Sequence, residues 1–144
     1  LIYWVEASVY MAITPDGVIA KKTPWAAETL VPFERVERIE VGCRHNENQG
    51  SVTTRFRYTM ILPGRDEINL YTARLDGSRL STLERVDALA LAAGVPVVHA
   101  NVILNKADDA TVDAACTERV IDRYKRSNET RAFKLLRLPD PRGA

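Results

Sequence analysis

Thr29-Leu-Val-Pro-Phe-Glu-Arg-Val-Glu-Arg-Ile-Glu-Val-Gly-Cys43 decides how the rest of the chain is read. An extended run enters at Thr29, residues 32–35 turn it, and a second strand leaves. Ile39, Val41 and Cys43 alternate with Arg38, Glu40 and Arg44. Apolar residues at every second position bury one face of a strand and leave the other wet.

Upstream, Val9, Met11 and Ile13 alternate with Ser8, Ala12 and Thr14. Pro15-Asp16-Gly17 is a turn, because proline presets φ and glycine accepts a positive one. Residues 18–22 return, which makes a hairpin. Thr23-Pro24-Trp25 interrupts it, and residues 28–31 form a short strand into the opening stretch. Downstream, Arg44 to Gly50 reads as a polar loop. In the next strand Val52, Phe56, Tyr58, Met60 and Leu62 face one way, and Thr53, Arg55, Arg57, Thr59 and Ile61 the other. Pro63-Gly64-Arg65-Asp66 turns the chain, and Ile68 and Leu70 bring it back. The expectation is an antiparallel meander of six or seven strands.

The period then changes. Ser81-Thr82-Leu83-Glu84 has the form of a capping box, with Leu83, Val86, Ala90 and Ala93 following at helical spacing. Gly94 and Pro96 end that helix. A sheet with one apolar face needs a cover, and the helix at about 81–93 is the expected one. Residues 97–104 suit a further strand or a buried connector. Asp108 or Asp109 caps a second helix at about 109–126. Its face holds Val112, Cys116 and Val120, with Ile121 and Tyr124 beside them. The basic end at Arg123, Lys125 and Arg126 complements the dipole. The tail from Ala132 to Leu138 fits neither period.

At 144 residues the chain is expected to be a single domain, long enough to bury roughly 70% of its unfolded surface. A formal net charge of +1 and a pI near 8.0 argue against a generic nucleic-acid binder and direct attention to local patches. No window reaches the roughly 20 apolar residues of a membrane helix. The chain opens at Leu1 without methionine, so the sequence reads as a fragment or lacks its true start. Leu1-Ile2-Tyr3-Trp4-Val5 reads as a first strand, with the tail of a removed span as the alternative. Cys43 and Cys116 read as two reduced, buried thiols, with a disulfide between them as the alternative.

The run Thr14…Gly17-Val18-Ile19…Val31-Pro32-Phe33-Glu34-Arg35-Val36…Ile39 resembles the bacterial pleckstrin-homology-like (PH-like) domains. They share a Thr-x-x-Gly hairpin, a proline-containing corner and a closing helix after the last strand. The resemblance covers about residues 8 to 98. It implies an α+β fold with a strongly bent antiparallel sheet, or partly open barrel, capped by the 81–93 helix. Residues 105–144 would be a helical extension. It also implies a module that is not an enzyme, often attached to a bacterial membrane.

Four cations, Lys21, Lys22, Arg55 and Arg57, are the candidate ligand-binding set. Arg55 and Arg57 share one strand face, and forked guanidinium donors suit phosphate geometry. The bland reading is that they are ordinary solvent-face charge. His45 reads as a surface residue and His99 as a core or edge residue, since no metal-ligand spacing surrounds either. Asp108-Asp109 reads as a helix cap rather than a catalytic pair, and no nucleotide loop or nucleophile elbow is present. Phe133, Leu135, Leu136 and Leu138 have no clear place in a barrel, so they are the candidate interaction surface, expected either to cover the domain's own core or to touch a second copy.

The sequence therefore predicts a non-catalytic PH-like interaction or assembly domain. It would bind a protein partner or self-associate, with no cofactor, metal or nucleic acid, at the cytoplasmic side of the inner membrane or in the cytoplasm. The alternative is an anionic lipid- or phosphate-binding module, and the third reading is a small enzyme of unknown class.

Overall fold

The computed structural model describes residues 2–6, 9–21, 27, 29–65, 67–70, 77–105 and 107–141. The fold is α+β. Four antiparallel strands form one sheet in sequence order: β1 (Ile2–Glu6), β2 (Val9–Thr14), β3 (Gly17–Lys21) and β4 (Thr29–Pro32). Thr14 builds the corner of this hairpin. Its hydroxyl accepts from the Gly17 amide at 3.2 Å and donates to the Gly17 carbonyl at 3.0 Å. Glycine is needed there for space and not for a positive φ, because a Cβ would run into the Val31 carbonyl of β4. The corner after β4 is a short 3-10 turn at Phe33–Arg35. Phe33 and Val36 tuck into the core beside Val18 and Ile39.

The second sheet is bent and mixed, in the order β7-β6-β5-β8. Its centre is a hairpin of two eleven-residue strands, β5 (Arg38–Asn48) and β6 (Ser51–Ile61). The expected polar loop at residues 44–50 is instead mostly strand. Pairing continues to Asn48↔Ser51, and Gln49 and Gly50 make a two-residue turn, both at positive φ. The polar character of those residues reflects the exposed tip of the hairpin rather than a loop. β7 (Glu67–Asn69) pairs antiparallel with the far end of β6. After helix α1 (Gly77–Ala92) the chain returns to the other edge of β5 as β8 (Val97–His99) and β9 (Val102–Leu104), both parallel to β5. The antiparallel expectation fails here. The crossover through α1 brings the chain back in the same direction as β5. Among the described residues the strands form no closed barrel.

Helices α2 (Asp109–Arg123) and α3 (Arg126–Leu135) complete the chain. Asp108 caps α2 as expected, accepting from the Thr111 amide at 2.7 Å. The expected capping box at Ser81–Glu84 is not a cap. The apolar stripe of α1 starts one residue earlier, with Leu80, Leu83, Val86 and Ala90 all buried, so the helix must begin upstream of Ser81. Ser81 and Glu84 instead meet Arg131 of α3.

The apolar face of the hairpin holds Ile39, Val41, Cys43, Phe56, Tyr58 and Met60, all buried. Three helices cover it rather than one. α2 lies directly against β5 and β6, and α3 packs on both α1 and α2. Val52 departs from the expected inner set. It is 62% exposed because the hairpin tip runs beyond the helices. Phe133, Leu135, Leu136 and Leu138 are buried in this same core. α3 ends in a Schellman motif: Leu138 N–H reaches Phe133 O, Arg137 N–H reaches Lys134 O, and Arg137 takes the left-handed φ of 54°. The tail thus closes the chain's own interior and is not available as a docking surface. Among the described residues no helix is long and apolar enough to cross a membrane.

Cys43 of β5 and Cys116 of α2 form a disulfide, with Cα atoms 5.9 Å apart. The reading of two reduced thiols is corrected. Their separation in sequence gave no hint that strand and helix would face each other across the core.

Candidate functional site

One face of the β5–β6 hairpin, together with the rim of α2, carries the charge. Register fixes which residues meet: Glu40 faces Thr59, Gly42 faces Arg57, Arg44 faces Arg55 and Asn46 faces Thr53. Val102 and Leu104 of β9 border this trough on one side, and Glu67 and Asn69 of β7 on the other. Arg119 and Arg123 of α2 complete the lining. The cleft encloses about 990 Å³, within the size range of small-molecule sites. Among the described residues five arginines line it against one carboxylate, Glu67.

The arginines are not equivalent. Arg57 was expected on the wet face but is only 8% exposed. It donates at 2.8 Å to Glu40 and at 2.8 Å to the Ala100 carbonyl. The β8–β9 connection reaches over it, and a buried guanidinium needs such partners. Burial alone would lift the Glu40 carboxyl. Hydrogen bonds and charge from Arg57 and Arg38 overcome this and hold it below its ordinary value of 4.5. Arg57 is therefore neutralised and structural.

Arg44 and Arg55 are exposed and directly opposite each other. Like charges in that relation destabilise a sheet. Among the described residues neither makes an ion pair, and the same is true of Arg119 and Arg123. Of the expected cationic set, the cleft brings Arg55 and Arg57 together. Lys21 lies on β3 and is not among its lining residues, and Lys22 falls outside the described residues. Arg44, Arg119 and Arg123 were missed. In the sequence Arg123 reads only as complementing the helix dipole, and Arg119, one turn before it, is not singled out.

A polar latch holds β5 where its edge pairing changes from β8 to β9. Gly42 sits at φ 143°, and a Cβ there would lie 2.6 Å from Asn101 Oδ1. That oxygen accepts from the Cys43 amide at 3.0 Å, while Asn101 Nδ2 donates to Asp113 at 2.7 Å. His99 completes the latch, with Nε2 2.8 Å from Asp113 Oδ1 and Nδ1 3.0 Å from the Leu136 carbonyl. Both ring nitrogens are engaged within the latch. His45, expected at the surface, is 1% exposed and sits between Thr54 and Glu47. It lies on the inner face in phase with Ile39, Val41 and Cys43, which is why it is buried. Among the described residues no three His, Cys, Asp or Glu side chains gather as a metal site would require.

Comparison with models of known families, with curated proteins and with solved structures returns no match. The site has to be read from its own geometry.

Proposed function

We propose that this chain is a non-catalytic binding module on a PH-like framework, and that it takes an anionic ligand on its arginine-lined face. The observation that carries the reading is the Arg44–Arg55 cross-strand pair: two exposed guanidinium groups face each other with no carboxylate between them. An anion turns that repulsion into charge-assisted hydrogen bonding. The PH-like part of the reading is supported by element order: four strands, then three antiparallel strands, then a helix, as in the resembling family. The non-catalytic part is supported by the occupied nitrogens of His99 and the oxidised state of both cysteines. Protein assembly through Phe133, Leu135, Leu136 and Leu138 loses its surface, since those side chains are in the core. The disulfide favours an oxidising compartment over the cytoplasm.

The test is a titration with inorganic phosphate, followed through the arginine Nε–H resonances. Those of Arg44, Arg55, Arg119 and Arg123 shift together, and the shifts shrink as salt is raised. Equal shifts at Arg85, an exposed arginine of α1, would reduce the site to general surface charge.

A further inference from the structure

The four unneutralised arginines fall into two pairs on two different elements, and this bears on what kind of anion fits. The inference rests on the anion-binding reading and deepens it. Arg44 and Arg55 are cross-strand partners, so their Cβ atoms lie about 4.5–5.5 Å apart. Arg119 and Arg123 stand one turn apart on α2, about 5–6 Å between Cβ atoms. Each spacing lets two guanidinium groups grip one tetrahedral anion. The pairs are held relative to each other by a covalent bond. Cys43 precedes Arg44, Cys116 lies three residues before Arg119, and the two cysteines are joined with Cα atoms 5.9 Å apart. Arg57 contributes to neither pair, because Glu40 already neutralises it.

We propose that the cleft has two phosphate subsites, Arg44/Arg55 and Arg119/Arg123, and that its ligand carries two or more phosphate groups on one molecule. One phosphate ester holds at most about two negative charges, whereas this cleft is lined by four arginines that make no ion pair among the described residues. A volume of about 990 Å³ leaves room for far more than a lone phosphate. Joining two phosphates makes the second contact intramolecular, and affinity rises without any new side chain. A phosphate pair of this kind occurs in soluble polyphosphates and in lipids with two phosphates per headgroup.

The experiment measures binding of orthophosphate, pyrophosphate and triphosphate to the full chain with its disulfide intact, by calorimetry at low and physiological salt. Pyrophosphate or triphosphate binds about 100-fold or more tightly than orthophosphate. Arg55→Gln and Arg119→Gln each remove most of that advantage while leaving orthophosphate within about twofold, since one subsite survives. The double variant binds none of them. A second arm compares vesicles of cardiolipin with vesicles of phosphatidylglycerol at equal total phosphate. A preference for cardiolipin supports the two-subsite site and assigns it to a lipid, and equal weak capture with tight triphosphate binding supports it and assigns it to a soluble ligand. Affinity that follows total charge alone, with both single variants weakening every anion equally, overturns the two-subsite proposal and leaves the anion-binding reading standing. No binding of any anion by the unaltered chain overturns both. Circular dichroism and melting of each variant exclude loss of fold as the cause.

Discussion

Breaking the Cys43–Cys116 crosslink should destabilise the chain by an amount its topology sets. The two cysteines are 73 positions apart. For a loop of that length the chain-entropy relation gives about 4.4 kcal/mol at 25 °C. For a chain of this size that corresponds to roughly 10–18 °C in melting temperature. Both sulfurs are fully buried, so reductant must act on unfolded protein, which is then refolded under reducing conditions. Urea melts of the oxidised chain, the reduced chain and the Cys43→Ala/Cys116→Ala variant make the comparison. The reduced chain keeps both thiols in the core and isolates the crosslink, while the variant adds the loss of two small buried groups. Both should melt well below the oxidised chain. A reduced chain within about 1 kcal/mol of the oxidised one would refute the reasoning, as would two alkylatable thiols in denatured, unreduced protein.

Phe56→Ala should cost about 3–5 kcal/mol in denaturant melts, because the ring is in the core and packs 6.0 Å from the Tyr124 ring. Arg57→Ala should cost about 1.5–3 kcal/mol, where an exposed strand arginine would cost nearly nothing; Arg55→Ala is the control. Glu40 is held below its ordinary 4.5 in the fold, so it adds stability above that pH and the contribution is lost as pH falls below it. Melting of wild type and Glu40→Gln from pH 7 to pH 3 should show the wild type losing its advantage on the acid side. Burial, then the charge and hydrogen bond of Asp87, raise the Tyr58 phenol far above its ordinary 10.0. Its contribution is present below pH 10 and fades above it, which Tyr58→Phe should abolish in alkaline melts. Deleting residues 131–144 should unfold the chain rather than change its association state, as circular dichroism and sedimentation together would show, because Phe133, Leu135, Leu136 and Leu138 are core.

The hairpins, the α1 stripe, the α2 cap and the inner set Phe56, Tyr58 and Met60 were legible because period and turn chemistry are local signals. α3 was not, because Glu129 occupies one slot of its buried face beside Ala132, Phe133 and Leu136. A charged residue inside an apolar stripe hides the helical period. The burial of Arg57 was equally hidden. It depends on Ala100, 43 residues away, passing over a strand face that alternation alone marks as wet. Half of the cleft was visible in the same sense. Arg55 and Arg57 could be placed on one face, but Arg44 opposite Arg55 needed the register, and Arg119 and Arg123 needed the docking of α2.

β5 holds the middle of its sheet, yet its two neighbours arrive at different times. β6 follows after a two-residue turn, whereas β8 pairs with Ile39 from Val97, after a whole helix has been made. During synthesis, until that point emerges, β5 stands as an open edge with unpaired amides and carbonyls. Such an edge templates pairing with other chains. Non-local pairing also closes late in folding. A product truncated before Val97 would therefore be prone to self-association even with its hairpin intact, and the nascent chain is most in need of protection in the interval between β6 and β9.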